Sequence, residues 1–345
     1  MNSKRWISGV SITLLLTAVM LTGCSSQEGE SGGASGKINF YSPETPDMTK
    51  QMAQAYEKAN PGAKVDVQYG GTNVIVNRLI AEKDNPIGDI WYGGGGIIPF
   101  ETAKEKGIIT PYTPKAAENW PVDKNGIQIR DKDWNWVGAE VFVLGFIYNT
   151  EKVKKEDAPK TWDDLLDSRW KGKLQMANPA ASGTATLTVM SQLMKKGEKE
   201  GWKYFDQLVK QVNAMPDSGL APSQAVVKGE AEIGVAFDFM AYEMKAKGEK
   251  VDFIVPKETP ILVNPVTLVQ DGPNPAGGKA FVDFILSKKG QKLLAEWYHI
   301  PIREDVKSKT PLSLKKVMPH AQKLDLEWAV ENYDRVRNEW RQKFE

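Results

Sequence analysis

Apolar and polar positions follow two rhythms along the chain, and their order predicts its architecture. Residues 37–41 (KINFY) form a short β-rich run, broken by Ser42-Pro43-Glu44-Thr45-Pro46. Pro46 suits the first position of a helix, with Thr45 as its N-cap. Met48, Met52, Ala55 and Tyr56 then recur at helical spacing as far as Asn60-Pro61-Gly62, a stop signal. Residues 65–69 alternate as a strand, and Gly70-Gly71-Thr72-Asn73 joins it to a helix over 74–83. Residues 89–92 make a short strand that runs into four glycines, 93–96, before a helix over 99–106 closed by Gly107. Strands and helices that alternate with short connections predict an α/β fold with a largely parallel sheet.

Two longer extended runs, 136–148 (WVGAEVFVLGFIY) and 259–269 (TPILVNPVTLV), stand apart from this pattern. Between them the spacing predicts helical material over 149–166, a strand at 174–177 and helices at 183–196 and 202–212. A short helix capped by Ser223 follows, and then a buried strand over 232–237 that ends at Asp238. Residues 276–286, 288–298 and most of 312–344 read as helical, and the chain carries no internal repeat. If both extended runs cross between blocks, the chain has two lobes on a two-strand hinge. Lobe 1 is then 37–140 plus 265–345 with the C-terminal helices, and lobe 2 is 141–264. Ligands of open α/β sheets bind beyond the carboxyl ends of the strands, which here face the cleft between the lobes.

The first 36 residues have a different character. Lys4 and Arg5 precede a mostly apolar stretch, 7–21, that is short for a membrane span and reads as the apolar region of a signal peptide. Leu21-Thr22-Gly23-Cys24 follows and resembles the bacterial lipobox, which makes Cys24 the expected lipidation site and 1–23 the segment removed. Residues 24–36 hold no large apolar side chain and read as a flexible tether. The expected location is extracytoplasmic, with the body lipid-anchored to the cell membrane on its periplasmic side or outer surface.

Composition narrows the function. The 345 residues carry 45 Lys plus Arg and 44 Asp plus Glu, a formal net charge of +1. Loss of the first 23 leaves 43 basic against 44 acidic residues. Such balance argues against nucleic acid as a partner. One Cys and two His, His299 and His320, exclude an intrachain disulfide and argue against a metal cage built on Cys or His. No cofactor is expected, and the body is expected to be a monomer.

Four segments are candidates for the cleft. Ser182-Gly183-Thr184 opens an apolar-periodic helix, where unpaired N–H groups and two hydroxyls can cradle an anion; an ordinary N-cap would look the same. The 93–96 loop, with Gly94 and Gly95 at its centre, suits close approach of a ligand or of other backbone, or a surface turn. Thr72 and Asn73 begin one helix, and Ser42 ends the first strand. Asp238 lies just past an apolar strand, either as an acceptor for ligand hydroxyls or amines or as the cap of the following helix. Trp134, Trp136 and Phe142 fit core or hinge packing better than a ligand face.

The ordered set of INFYS, the GGTN turn, DIWYGGGGIIPFETAKEKGIITPY, FIYNTEKV, TWDDLLDSRWKGKLQMANPAASGTA, VKGEAEIGVAFDF, KAFVDFILSKKGQKLL and IPIRED resembles extracellular solute-binding proteins of bacterial ABC importers. The group it looks like takes ferric iron, hexose phosphates and phosphonates. The resemblance implies a two-lobed, periplasmic-binding-protein-like fold of type II. It implies capture of a solute by lobe closure and delivery to a membrane permease with its ATPase. Ferric-binding members carry adjacent tyrosines after the strand that here reads EIGVAF. This chain has Phe237-Asp238-Phe239-Met240 there, whereas the Ser-Gly-Thr helix start resembles the phosphate-gripping element of organophosphate binders. The expected solute is therefore small and anionic, phosphorylated or a phosphonate, with ferric iron as the alternative. A lipid-anchored hydrolase would need a nucleophile or base constellation, and neither GxSxG nor HExxH occurs; a structural or adhesive lipoprotein would lack a closed cleft.

Overall fold

The computed structural model describes residues 35–345. Cys24, the signal segment and all of the tether but Ser35 and Gly36 lie outside the described residues. Gly36 belongs not to a tether but to the first strand, β1 (Gly36–Ser42).

The first block runs α1 (Pro46–Ala59), β2 (Ala63–Tyr69), α2 (Thr72–Ala81), β3 (Ile90–Tyr92), α3 (Ile98–Glu105) and β4 (Ile109–Thr110). A small hairpin, β5 (Asp123–Lys124) and β6 (Ile127–Gln128), leads into β7 (Val137–Asn149). The middle block holds β8 (Leu174–Gln175), α4 (Gly183–Lys196), α5 (Glu198–Leu208), β9 (Val212–Ala214), α6 (Ala221–Val227), β10 (Ile233–Phe237), α7 (Asp238–Ala246) and β11 (Val251–Ile254). The chain returns through β12 (Ile261–Val269) to α8 (Pro275–Leu286), α9 (Lys288–Glu296), β13 (Ile300–Pro301), α10 (Leu314–Val317) and α11 (Leu326–Phe344).

Eleven strands form one sheet along the path β2-β1-β3-β12-β7-β10-β8-β9, with β4 on β12 and β11 and β13 on β7. The pairs β1–β2, β1–β3, β8–β10 and β8–β9 are parallel. β7 and β12 pair antiparallel with each other and with their other neighbours, because one leaves the first block and the other comes back. The first half of β7, Val137–Val143, pairs with β12, and its second half, from Leu144, with β10 and β11. Every residue of β7 and of β12 is buried. That explains why both read as unbroken apolar runs rather than as alternating strands.

Four expectations change. The large sheet is mixed rather than largely parallel, because β7 and β12 run antiparallel to every neighbour they pair with. Residues 149–166 contain no α-helix, only turns and a 3₁₀ turn at Asp163–Leu166. Ala158, Trp162 and Leu165 are buried at a spacing that mimics a helix face, but turns hold them. The next helix, α5, begins at Glu198 rather than at 202, because Gly197 breaks the chain there with φ of 77°. Ser223 does not cap α6; it sits inside the helix, two residues after the start at Ala221, and its hydroxyl donates to the Met240 sulfur.

Candidate functional site

β1 and β3 end side by side, and the loops that leave them meet the start of α4. Between them lies a cavity of about 310 Å³, near the lower end of the usual range for small-ligand sites. Ser42, Glu44, Thr72 and Gly94 wall it from the first block, and Ser182, Thr184, Gly219, Phe237 and Met240 from the middle block. Ser42, Glu44, Thr72, Ser182 and Thr184 are all buried, so the two blocks close over this space.

Glycine makes that closure possible. Gly93, Gly94, Gly95 and Gly96 all have positive φ, between 79° and 105°, a conformation that costs other residues roughly 1–2 kcal/mol each. A Cβ on Gly95 would lie 2.7 Å from the Gly183 carbonyl carbon. A Cβ on Gly183 would lie 2.7 Å from the Thr72 hydroxyl oxygen, and one on Gly94 would overlap that same hydroxyl. The glycine loop, Thr72 and the α4 start are therefore stacked in direct contact, with no room for a side chain between them.

Ser182 is the N-cap of α4, and its Oγ accepts from the Ala185 N–H at 3.4 Å. The N–H groups of Gly183 and Thr184 have no acceptor within the helix, because they belong to its first turn. Both hydroxyls face the Gly219 loop: a Cβ there would stand 3.0 Å from Ser182 Oγ and 3.2 Å from Thr184 Oγ1. The result is a ring of hydroxyls at the positive end of a 14-residue helix.

Other predicted site residues stand behind this wall. Asn73 is fully buried; its amide donates to Pro179 O and Thr186 Oγ1, and its oxygen accepts from the Tyr333 hydroxyl of α11. It ties α2 to α4 and to the C-terminal helix, which packs on both α3 and α4. Gly95 and Gly183 face each other rather than the cavity. Asp238 begins α7 and its Oδ1 accepts from the Val143 N–H of β7 at 2.9 Å; its neighbours Phe237 and Met240 line the cavity instead. Trp136 donates to Glu101, Arg130 lies over the Trp134 ring, and Phe142 packs on Phe237 with ring centroids 4.4 Å apart.

Sequence reading missed Gly219, Phe237 and Met240 on this wall, and also its one carboxylate among the described lining residues, Glu44. β12 shifts register against β7 between Asn264 and Pro265, where proline offers no N–H to the ladder. The Asn264 side chain reaches out at that irregularity, donating to Glu44 at 3.2 Å and accepting from Gly96 N–H at 3.3 Å. Behind Glu44, the Tyr92 hydroxyl donates to Glu140 at 3.0 Å, and His299 Nδ1 lies 3.5 Å from the other Glu140 oxygen. His299 also stacks on Phe239 with centroids 4.0 Å apart. It thus has a carboxylate neighbour.

Burial, and then Glu140, push the Glu44 carboxyl from 4.5 to about 8, and burial lifts Asp238 from 3.8 to about 7. Burial opposes a charge on His299, but Glu140, with Glu44 and Asp238, overcomes it and the pKa is raised. All three groups hold a proton more tightly folded than unfolded. Their stabilisation is complete below their unfolded values and is lost as pH rises through the folded ones. The melting temperature of the ligand-free protein is therefore expected to fall between about pH 5 and pH 8, and Glu44→Gln is expected to flatten part of that fall in a calorimetric pH series. A melting temperature that rises over this range would show that other groups dominate.

Residues 99–324 match the model of the bacterial extracellular solute-binding protein family. An uncharacterised protein of Haemophilus influenzae is 32% identical over 82% of this chain and 80% of its own length. A putative 2-aminoethylphosphonate-binding periplasmic protein of Salmonella paratyphi A is 29% identical over 73% of each chain. Among solved structures, the periplasmic binding protein AfuA of Actinobacillus pleuropneumoniae, with exogenous fructose-6-phosphate bound, superposes with a TM-score of 0.81 at 27% identity, covering 90% of this chain and 99% of that one. With a strand-and-return hinge, a cavity closed between two blocks and a family match over most of its length, this chain belongs to the bacterial extracellular solute-binding proteins.

Proposed function

We propose that the protein is the solute-binding component of an ABC importer, and that it holds a small phosphorylated or phosphonate solute between two lobes for delivery to a membrane permease. The observation that carries this reading is the cavity itself. It brings the Ser182 and Thr184 hydroxyls and the first-turn N–H groups of α4 against the wall of Ser42, Thr72 and Gly94 from the other block, where Thr72 offers a hydroxyl and the Ser42 hydroxyl donates to Tyr92 O. A phosphoryl group has three acceptor oxygens and suits donors converging from two sides. The relatives named for 2-aminoethylphosphonate and solved with fructose-6-phosphate support the same chemistry. Iron fits less well, because Phe237-Asp238-Phe239-Met240 stands where ferric-binding members carry adjacent tyrosines.

The lobes divide along β7 and β12, at about residues 140 and 265. α11 belongs to neither alone, since it packs on α3 and α4. A thermal-shift panel of sugar phosphates, glycerol phosphates, phosphonates and neutral sugars tests the solute class. A ligand at a hundredfold excess over Kd stabilises by about 2.7 kcal/mol. Phosphorus-bearing compounds are expected to give that shift, and a panel in which only neutral sugars do so would refute the reading.

The same proposal places the protein outside the cytoplasmic membrane on a lipid at Cys24, because the single Cys of the chain ends Leu-Thr-Gly-Cys after an apolar run. Cys24→Ser is expected to move the protein from the membrane fraction to the soluble one without changing its melting temperature. A mutant that is processed normally and stays membrane-bound after a high-salt wash would end the lipoprotein assignment.

A further inference from the structure

The cavity described above has two chemically different sides. Helix dipole, N–H groups and hydroxyls gather at the α4 start. Glu44 stands on the side contributed by the first block, and among the described residues that wall the cavity none is Lys, Arg or His. Glu44 is the only carboxylate there, it is 4% exposed, and it is held by Asn264 from outside the cavity. A purely anionic solute would bring its charge into a closed space whose described wall residues offer no cation in return, and it would give the buried Glu44 carboxyl no positive partner with which to ionise.

We propose that Glu44 sets specificity by accepting from a primary ammonium group on the solute, so that the preferred solute is a zwitterion with a phosphonate or phosphate ester at one end and an amine at the other. This rests on the phosphorus-bearing reading of the α4 side and extends it to the opposite wall. Asn264 orients the carboxyl from behind, which leaves its remaining acceptor capacity for the solute. The groups that face it are Glu140 on β7, Tyr92 on β3 and His299 just before β13. Burial and Glu140 hold Glu44 protonated near neutral pH, its carboxyl pushed up to about 8. An incoming ammonium favours the carboxylate, so the Glu44 proton leaves to solvent as the ion pair forms. The solute's own three N–H protons stay in place.

The test uses the purified protein with 2-aminoethylphosphonate and ethylphosphonate, which differ only in the amine. Wild type is expected to bind the amine at least about tenfold more tightly, the usual effect of a hydrogen bond to a charged group. Glu44→Gln is expected to bring the two affinities together by weakening the amine alone. Calorimetry on wild type in two buffers of different ionisation enthalpy, with the second ionisation of each free phosphonate measured and subtracted, is expected to show release of most of one further proton near pH 7 with the amine and no further proton with ethylphosphonate. That readout decides the matter even if Glu44→Gln does not fold. If wild type binds both phosphonates equally and releases no further proton with the amine, the role of Glu44 is overturned while the phosphonate reading survives. If neither phosphonate binds, the phosphorus-bearing reading fails and this inference fails with it.

Discussion

Gly95→Ala is expected to abolish ligand binding while leaving both lobes folded. Two effects act at this position, and only the second distinguishes the closed arrangement from the open one. The backbone φ is 79°, which costs an L-residue roughly 1–2 kcal/mol. The new Cβ would also lie 2.7–3.0 Å from backbone atoms of Gly183, and backbone cannot swing aside as a flexible side chain can. The clash exists only when the lobes meet, so it penalises the closed, ligand-holding arrangement. Losing about 3 kcal/mol of closure corresponds to more than a hundredfold in affinity. Gly172→Ala is the control: its φ is 72°, and an added Cβ there would meet nothing within 4 Å. Titration calorimetry should show normal affinity for Gly172→Ala and little or none for Gly95→Ala. Equal affinity in both variants would mean that the glycine loop merely tolerates, and does not enable, the approach of the lobes.

Ser182→Ala together with Thr184→Ala is expected to weaken a phosphorylated ligand about a hundredfold or more, since each lost hydrogen bond to a charged group costs roughly 1.5–3 kcal/mol. The ligand-free protein should lose less, about 1 kcal/mol from the N-cap, because the Ser182 contact to Ala185 is long at 3.4 Å. The difference between the two losses is what matters. If the double variant responds to phosphates as wild type does, the Ser-Gly-Thr start of α4 is only a helix cap.

Much of this was legible in the order of residues. The apolar runs at 136–148 and 259–269 give away the two crossing strands, because a strand buried on both faces needs no polar alternation. Ser182-Gly183-Thr184 before a helical period places the α4 start to the residue. What could not be read is what depends on distant partners. Glu44 looks like one more polar residue in a proline-rich turn; its burial is set by Asn264, 220 positions away, and by a register shift at Pro265. Asp238 ends its strand as expected, but whether it faces a cavity or the backbone of Val143 depends on how β7 passes behind it. Residues 149–166 mislead in the other direction, since isolated buried anchors at helix-like spacing are held by turns.

A phosphorus-bearing solute held between the α4 start and the Ser42–Thr72–Gly94 wall should be visible in native mass spectrometry of protein purified without added ligand. The expected result is a one-to-one complex that releases, on denaturation, a small molecule whose accurate mass and fragments identify phosphorus. Release of a phosphorus-free sugar or of ferric iron would contradict the account.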